Sequence, residues 1–192
     1  MSKIKKLTIL IDADDTIHFL AKAWVQYLNI VHGTNVDWQG ITGWDLEPFF
    51  PTLTTGQVQR PLLEDRFWDY VEPIPGAAEY IKRLRDDGHD VFIVTASTYH
   101  TIRAKFERCI KKHLPFITWD DVVITSHKDL VHGDVIVDDG LHTMAVTPCS
   151  TKILFHAPHN ASYDAEKNSL IRCYNWGQVY EAIRKIAEEV TV

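Results

Sequence analysis

The sequence is short of several things, and each shortage narrows what the protein can be. It has three cysteines, Cys109, Cys149 and Cys173, odd in number, widely spaced and without a Cys-x-x-Cys pair. That leaves little sign of a disulfide framework or a zinc site and points to reduced thiols in a cytoplasmic protein. Positive charge is not in excess: 20 Lys and Arg stand against 26 Asp and Glu, a formal net charge of −6. A nucleic-acid polymer normally demands a basic face, so none is expected as a partner, whereas a small phosphorylated ligand held by local cations remains open. Long apolar runs are missing too. Lys3, Lys5 and Lys6 precede only the apolar stretch 7–11 before Asp12 interrupts it, too short for a signal peptide or a membrane span. Neither an internal repeat nor a low-complexity tract occurs, and the ten histidines form no His-Glu-x-x-His pattern. His156-x-x-His159 reads as a solvated loop pair.

What is present organises around Leu7-Thr8-Ile9-Leu10-Ile11-Asp12-Ala13-Asp14-Asp15-Thr16. An apolar run bounded by charge reads as a strand buried on both faces. Taken alone, it could be a strand followed by an acidic turn. The pattern recurs, however. Val91–Thr95 ends in Ala96-Ser97, Val122–Thr125 leads to Ser126-His127-Lys128, Val135–Val137 ends in Asp138-Asp139, and Thr151–Phe155 makes a fifth strand. Helical spacing appears over 17–31 before Gly33, over Ala77–Asp87 before Gly88, over Thr101–His113, and from Asn175 through Val179, Ile183 and Ile186. Strands alternating with helices predict a parallel sheet with right-handed crossovers and helices on both faces, a Rossmann-like α/β fold.

Between the first two strands lies a segment of different character. Trp38, Trp44, Phe49, Phe50, Phe67, Trp68 and Tyr70 crowd in among Pro48, Pro51 and Pro61, with a short helix expected around Gly56–Trp68. The expectation is a core from 1–16 and 73–192, with 17–72 as a small helical cap. Most of the aromatics should form the cap's own core, and one or two remain for a ligand.

Ligands of such sheets bind beyond the carboxyl ends of the strands. Asp12 and Asp14, Thr95 and Ser97, Lys128, and Asp138 and Asp139 all fall there. Carboxylates gathered on one rim repel: two charges ~4 Å apart cost about 4 kcal/mol at an effective dielectric near 20. An oxygen-only donor set calls for a hard cation, and Mg2+ is the expectation. Thr95, with its hydroxyl and neighbouring amides, suits a phosphate oxygen.

The ordered set Asp-x-Asp-x-Thr, strand-Thr, Lys, strand-Asp-Asp resembles the haloacid dehalogenase superfamily of aspartate-nucleophile phosphatases over nearly the whole chain. Phe67-Trp68, Glu72-Pro73-Ile74-Pro75-Gly76-Ala77 and Ile41-Thr42-Gly43-Trp44 look like the 5′(3′)-deoxyribonucleotidase family. The resemblance implies a magnesium-dependent phosphatase for deoxyribonucleoside monophosphates. Asp12 would be the nucleophile, and Asp14 the acid and base, its pKa raised by neighbouring acids. Mg2+ would bind Asp12, the Asp14 carbonyl and Asp139, with Asp138 beside it. Thr95, the Ala96 amide and Lys128 would bind the phosphoryl oxygens, with Ser97 beside them. Lys105 is an auxiliary contact or, more simply, a solvated helix lysine. Trp44, Phe19 and Leu20 are the candidates for the base pocket. Two departures stand out: relatives often carry Gly in place of Asp15, and Leu20 stands where an aromatic residue is expected. The rivals are a phosphatase for another small ester such as a sugar phosphate, and a receiver-like signalling module, which would need its acceptor Asp on a middle strand. A homodimer is left open.

Overall fold

The computed structural model describes residues 5–189; Lys3 and the outermost ends of the expected core lie outside the described residues. Six strands form one parallel sheet in the order β3-β2-β1-β4-β5-β6. They are β1 (Thr8–Ile11), β2 (Asp90–Thr95), β3 (Val122–Ile124), β4 (Val135–Asp138), β5 (Thr151–Phe155) and β6 (Ile171–Cys173). The central strand β1 pairs with β2 on one side and β4 on the other. The chain therefore winds outward one way through β2 and β3, then reverses through β4, β5 and β6. That reversal opens a crevice beyond the carboxyl ends of β1 and β4, where ligands of such sheets bind.

Period-2 burial divides the sheet cleanly. Ile9, Ile11, Ile93 and Val137 face the layer of α3 (Ala77–Asp86) and α7 (Trp176–Glu189). Leu10, Val94, Ile136 and Leu154 face the opposite layer, with Met144 of α6 (Leu141–Val146). Both faces are covered, so the strands carry no polar alternation. Five strands were expected, and β6 and α6 were missed: Ile-Arg-Cys is too short for a pattern, and six residues of α6 complete less than two turns. Asn175 begins α7 as expected, its Oδ1 accepting from Gln178 N at 3.0 Å.

The helix anticipated from Ile17 begins later, as α1 (Leu20–His32), closing at Gly33 with φ 65°. Residues 14–18 are occupied otherwise. Asp15 has φ 49°, the left-handed region where glycine is at ease, and Ile17 O accepts from Ile74 N at 2.8 Å. Phe19 N in turn donates to Glu72 O at 2.9 Å, so the two ends of the 17–72 segment run side by side. Within the segment, the helix expected around Gly56–Trp68 is broken into α2 (Thr55–Gln59) and two 3-10 turns, Arg60–Leu63 and Asp65–Asp69. Pro61 enforces the first break because it has no N–H to donate. Val25, Leu28, Ile41, Leu46, Phe50 and Val58 pack into a cluster of the segment's own. A second cluster joins Leu20, Phe67 and Trp68 to Ala104 and Cys109 of the sheet-bearing body.

The expected helix over Thr101–His113 is present but not uniform. It runs as α4 (Ile102–Lys105), a π turn (Phe106–Ile110) and α5 (Lys111–His113). Such bulges insert one residue into the helix and re-aim the side chains around it.

Candidate active site

The carboxyl ends of β1, β2 and β4 bring the predicted polar residues together. Asp12 leaves β1 with its side chain buried, and Lys128, from the turn after β3, reaches it at 2.6 Å. The same ammonium lies 2.6 Å from Asp138 Oδ2, while Asp138 Oδ1 accepts from Gly140 N at 2.7 Å. One oxygen each from Asp12, Asp138 and Asp139 falls within 4.8 Å of the others. Burial raises the pKa of Asp12 despite the opposing pull of Lys128, with Asp14 and Asp139 adding to the rise. Asp138 is pushed up to about 7 by burial and by Asp12, again against Lys128. Burial works against the charge on Lys128, but Asp12 and Asp138 more than offset it and raise its pKa. One lysine thus serves two carboxylates of a crowded triad, which leaves negative charge to be matched.

A second cation stands across the rim. Lys105 is buried, not solvated as its place on a helix had implied. Its ammonium lies 2.5 Å from Asp14 Oδ2, 2.7 Å from Thr95 Oγ1 and 3.1 Å from the Ala96 carbonyl oxygen. Helical spacing alone could not reveal this, because the residue's partners sit 91, 10 and 9 positions away. On the other side of Asp14, Oδ1 lies 3.3 Å from His18 Nε2. The expectation that neighbouring acids would raise Asp14 is overturned. Burial does push it upward, but Lys105 and His18 together hold its carboxyl below the usual range. Burial opposes charge on His18, yet Cys109 and Asp14 carry its pKa up to about 10, so it donates to Asp14 at neutral pH.

Asp139 is held differently. Thr16 Oγ1 donates to its Oδ1 at 3.2 Å, and His159 Nε2 lies 3.1 Å from Oδ2. His159 is therefore no solvated loop histidine: its side chain is 10% exposed. Burial lowers its pKa, but Asp139 outweighs this and raises it. Asp15 points toward the same corner and is pushed up to about 8 by burial and the charge of Asp139. Its carboxylate accepts from Ala21 N through both oxygens, at 3.1 and 3.2 Å. At this positive φ, where glycine is at ease, the chain has an Asp whose carboxylate satisfies an amide in the first turn of α1.

Two adjoining cavities open over the rim. One of about 480 Å³ is lined by Asp14, Leu20, Trp68, Ala96, Ser97 and Lys105, among others. Another of about 200 Å³ is bordered by Asp14, Leu20, Trp24, Gly43, Trp44 and His159. Leu20 borders both. Trp44 is 58% exposed and stands edge-on to His142 and His159, at 4.6 and 5.3 Å between ring centroids. It is not part of the insertion's own buried cluster. Phe19 is the sequence candidate that the structure separates from the rest. It packs on Trp38 and lines a different cavity, of about 600 Å³, with Pro75, His156 and Tyr174. Sequence reading missed Trp68, His18 and His159 as neighbours of the rim. In the sequence Trp68 stands among the aromatic residues of the insertion and in the Phe67-Trp68 pair of the family resemblance, with nothing to mark it as a neighbour of Lys105.

Comparison with known proteins finds relatives over nearly the whole chain. A family model described as 5′ nucleotidase, deoxy (pyrimidine), cytosolic type C protein matches residues 5–189. A 5′(3′)-deoxyribonucleotidase of Bacillus subtilis is 32% identical over 176 residues, covering 91% of this chain and 96% of the relative. A protein of the same name from Clostridium acetobutylicum is 29% identical, over 93% and 94% of the two chains. Among solved structures, a haloacid dehalogenase family hydrolase of Deinococcus radiodurans superposes with a TM-score of 0.66 at 15% identity, covering 99% of each chain. A hydrolase of that type from Bacillus subtilis bound to magnesium superposes with a TM-score of 0.60 at 15% identity, over 93% and 99% of the chains.

Proposed function

Because the chain belongs to the 5′ nucleotidase, deoxy (pyrimidine), cytosolic type C protein family, we propose that it hydrolyses deoxyribonucleoside monophosphates through an aspartyl-phosphate on Asp12. Membership makes it a phosphoric monoester hydrolase. The observation that carries the finer reading is the pair of buried lysines on opposite sides of the rim. Lys128 lies on Asp12, and Lys105 bridges Asp14 to Thr95. A phosphoryl group entering between them meets two fixed ammonium groups, the Thr95 hydroxyl and the exposed backbone at Ala96 and Ser97.

Asp12 attacks phosphorus, and the bond to the ester oxygen breaks as the bond to the carboxylate forms. Asp14 hands a proton to the departing oxygen, then takes one from the water that cleaves the acyl phosphate. In the ligand-free arrangement Lys105 and His18 keep Asp14 ionised, ready for the second of these steps. Its first role follows from substrate charge: a phosphate dianion seated beside Lys105 competes for that cation and favours a proton on Asp14. Thr95, Lys105 and Lys128 then stabilise the phosphoryl oxygens as charge moves across them.

The carboxylate cluster fits a hard divalent ion. Its donors are all oxygen, and burial has driven Asp12 and Asp138 upward, so a cation besides Lys128 is needed to keep both ionised. Asp12, Asp138 and Asp139, with the Asp14 carbonyl by family resemblance, would hold Mg2+. Bound there, the ion supplies charge to offset the attacking carboxylate and the phosphoryl oxygens. The cytosolic type in the description of the matching family supports a cytoplasmic setting; among the described residues no helix is long and apolar enough to cross a membrane.

The deciding assay measures phosphate release from deoxyribonucleotides, ribonucleotides and sugar phosphates, each with Mg2+ and with chelator. Deoxyribonucleoside monophosphates should be turned over best and only with metal. A clear preference for sugar phosphates would sink the substrate assignment, and full activity in excess chelator would sink the metal site.

A further inference from the structure

Among the described residues, a second group of metal-ligating side chains is separate from the carboxylate cluster and meets the site only through the contact of His18 with Asp14. His18, Cys109 and His113 come from two separate stretches, the turn after β1 and the π-turn helix, and one ligand atom of each lies within 4.8 Å of the others. His18 is fully buried, Cys109 is fully buried, and His113 is half-buried at the surface end of the group. Cys109 Sγ and His113 Nδ1 are 3.8 Å apart. Two donors on one tetrahedral zinc ion, with Zn–S near 2.3 Å and Zn–N near 2.0–2.1 Å, stand roughly 3.5 Å apart. A small contraction would therefore seat both.

A second observation is independent of this spacing. His18 Nδ1 is buried and has no hydrogen-bond partner, an expensive state for a polar atom unless something else satisfies it. The other ring nitrogen is already engaged, with Nε2 at 3.3 Å from Asp14 Oδ1. A histidine whose outer nitrogen meets a carboxylate while the inner one faces a thiol and an imidazole matches the carboxylate–histidine–metal arrangement. Cys109, in the π turn over Phe106–Ile110, and His113 are four positions apart, the spacing that puts two side chains on one face of a helix.

We propose that His18 Nδ1, Cys109 Sγ and His113 Nδ1 form a site for a borderline-soft transition-metal ion, Zn2+ in the first place, distinct from the carboxylate cluster. On binding, two protons leave to solvent, one from the Cys109 thiol and one from Nδ1 of the His18 imidazolium; Cys109 then coordinates as thiolate, His18 coordinates through Nδ1 and keeps its Nε2 proton toward Asp14, and water takes the fourth position. The donor set of one sulfur and two nitrogens selects against Mg2+, which prefers oxygen. The two sites therefore separate by chemistry as well as by place.

Co2+ is the probe, added to metal-stripped protein in excess Mg2+ so that the carboxylate cluster is already served. The expected result is a thiolate-to-cobalt charge-transfer band with tetrahedral d–d absorption, saturating at one equivalent and bleached by Zn2+. The band should vanish in Cys109→Ser and persist in Asp12→Asn. In His113→Gln, which changes only a half-buried side chain, affinity should fall by roughly ten- to hundred-fold or more. Should Cys109→Ser fail to fold, the rise in melting temperature with Zn2+ decides between wild type and His113→Gln. A wild-type protein with no band, or a band and a Zn2+ stabilisation untouched by His113→Gln, would overturn the site. None of these readouts uses phosphatase activity, so they stand or fall apart from the proposed reaction.

Discussion

At the scale of single residues, the rim is a set of buried charges whose worth lies in their pairing. Lys105 ties Asp14 to Thr95, so Lys105→Met keeps the hydrophobic stem beside Trp68 while leaving Asp14 without its main cation. Steady-state kinetics should show kcat/KM for a deoxyribonucleotide falling by about 10²–10⁴-fold, the range for losing a group that assists proton and charge transfer. Near-wild-type turnover would mean that Lys105 is structural only. Asp12→Asn should abolish turnover while preserving the fold. Asp14→Asn, which spares the nucleophile, should let a phosphorylated protein be seen by mass spectrometry. Away from the site, His89 accepts a hydrogen bond from Leu7 N through Nδ1 at 3.2 Å, which requires a neutral ring. Burial lowers its pKa from the ordinary 6.5, with Asp87 and Asp90 opposing. The unfolded chain therefore binds this proton more readily, and stability is lost as pH falls through that ordinary value. His89→Asn keeps an acceptor but cannot take up the proton. The drop in its melting temperature between pH 7.5 and 5.5 should be smaller than in wild type; an unchanged drop would discount His89.

At the scale of elements, two close approaches carry specific consequences. The turn before β4 brings Gly133 against β1, where an added Cβ would lie 2.8 Å from Leu10 Cγ and 3.1 Å from the Thr8 carbonyl oxygen. Both strands are central to the sheet, so neither backbone can retreat easily. Gly133→Ala should cost about 1–3 kcal/mol of overpacking, several degrees in melting temperature for a chain of this size. The insertion makes the other approach, with Trp44 set edge-on to His142 and His159. Stacking of a base on such a ring is worth about 1–3 kcal/mol, so Trp44→Ala should lower kcat/KM for a nucleotide roughly ten- to hundred-fold. Because the ring is largely exposed, the melting temperature should hardly move, and p-nitrophenyl phosphate should lose less. Equal losses on both substrates would remove Trp44 as a base contact.

For the whole molecule, the balance of charge at the sheet switch point should bear on stability as well as on the proposed activity. Asp12, Asp138 and Asp139 converge on one buried corner, where Lys128 reaches only the first two and His159 the third. A ligand that binds only the folded state stabilises it by mass action. Mg2+ should therefore raise the melting temperature in a concentration-dependent way, measurable by scanning fluorimetry. The rise should shrink in both Asp138→Asn and Asp139→Asn, and the larger loss identifies the closer ligand. A melting temperature indifferent to Mg2+ in wild type would argue against the proposed cation site.

The sequence by itself determined the parallel α/β framework, because buried strands and amphipathic helices write their environments into hydrophobic periodicity. It also placed Asp12, Thr95 and Asp138 directly after apolar runs, and Lys128 in the turn that follows another. Local order could not determine which side chains from distant stretches would face one another. Lys105 looked like any helix lysine until the chain closed and placed it on Asp14. His159 looked solvated until β5 delivered its loop to Asp139. The cysteines gave little sign of a metal site, yet the turn after β1 sets His18 beside Cys109 and His113 of the π-turn helix. Burial and pairing of these groups are properties of three-dimensional proximity, and the Coulomb and desolvation energies that govern their chemistry depend on distance in space. Sequence separation carries no record of that distance, so only the tertiary structure could decide it.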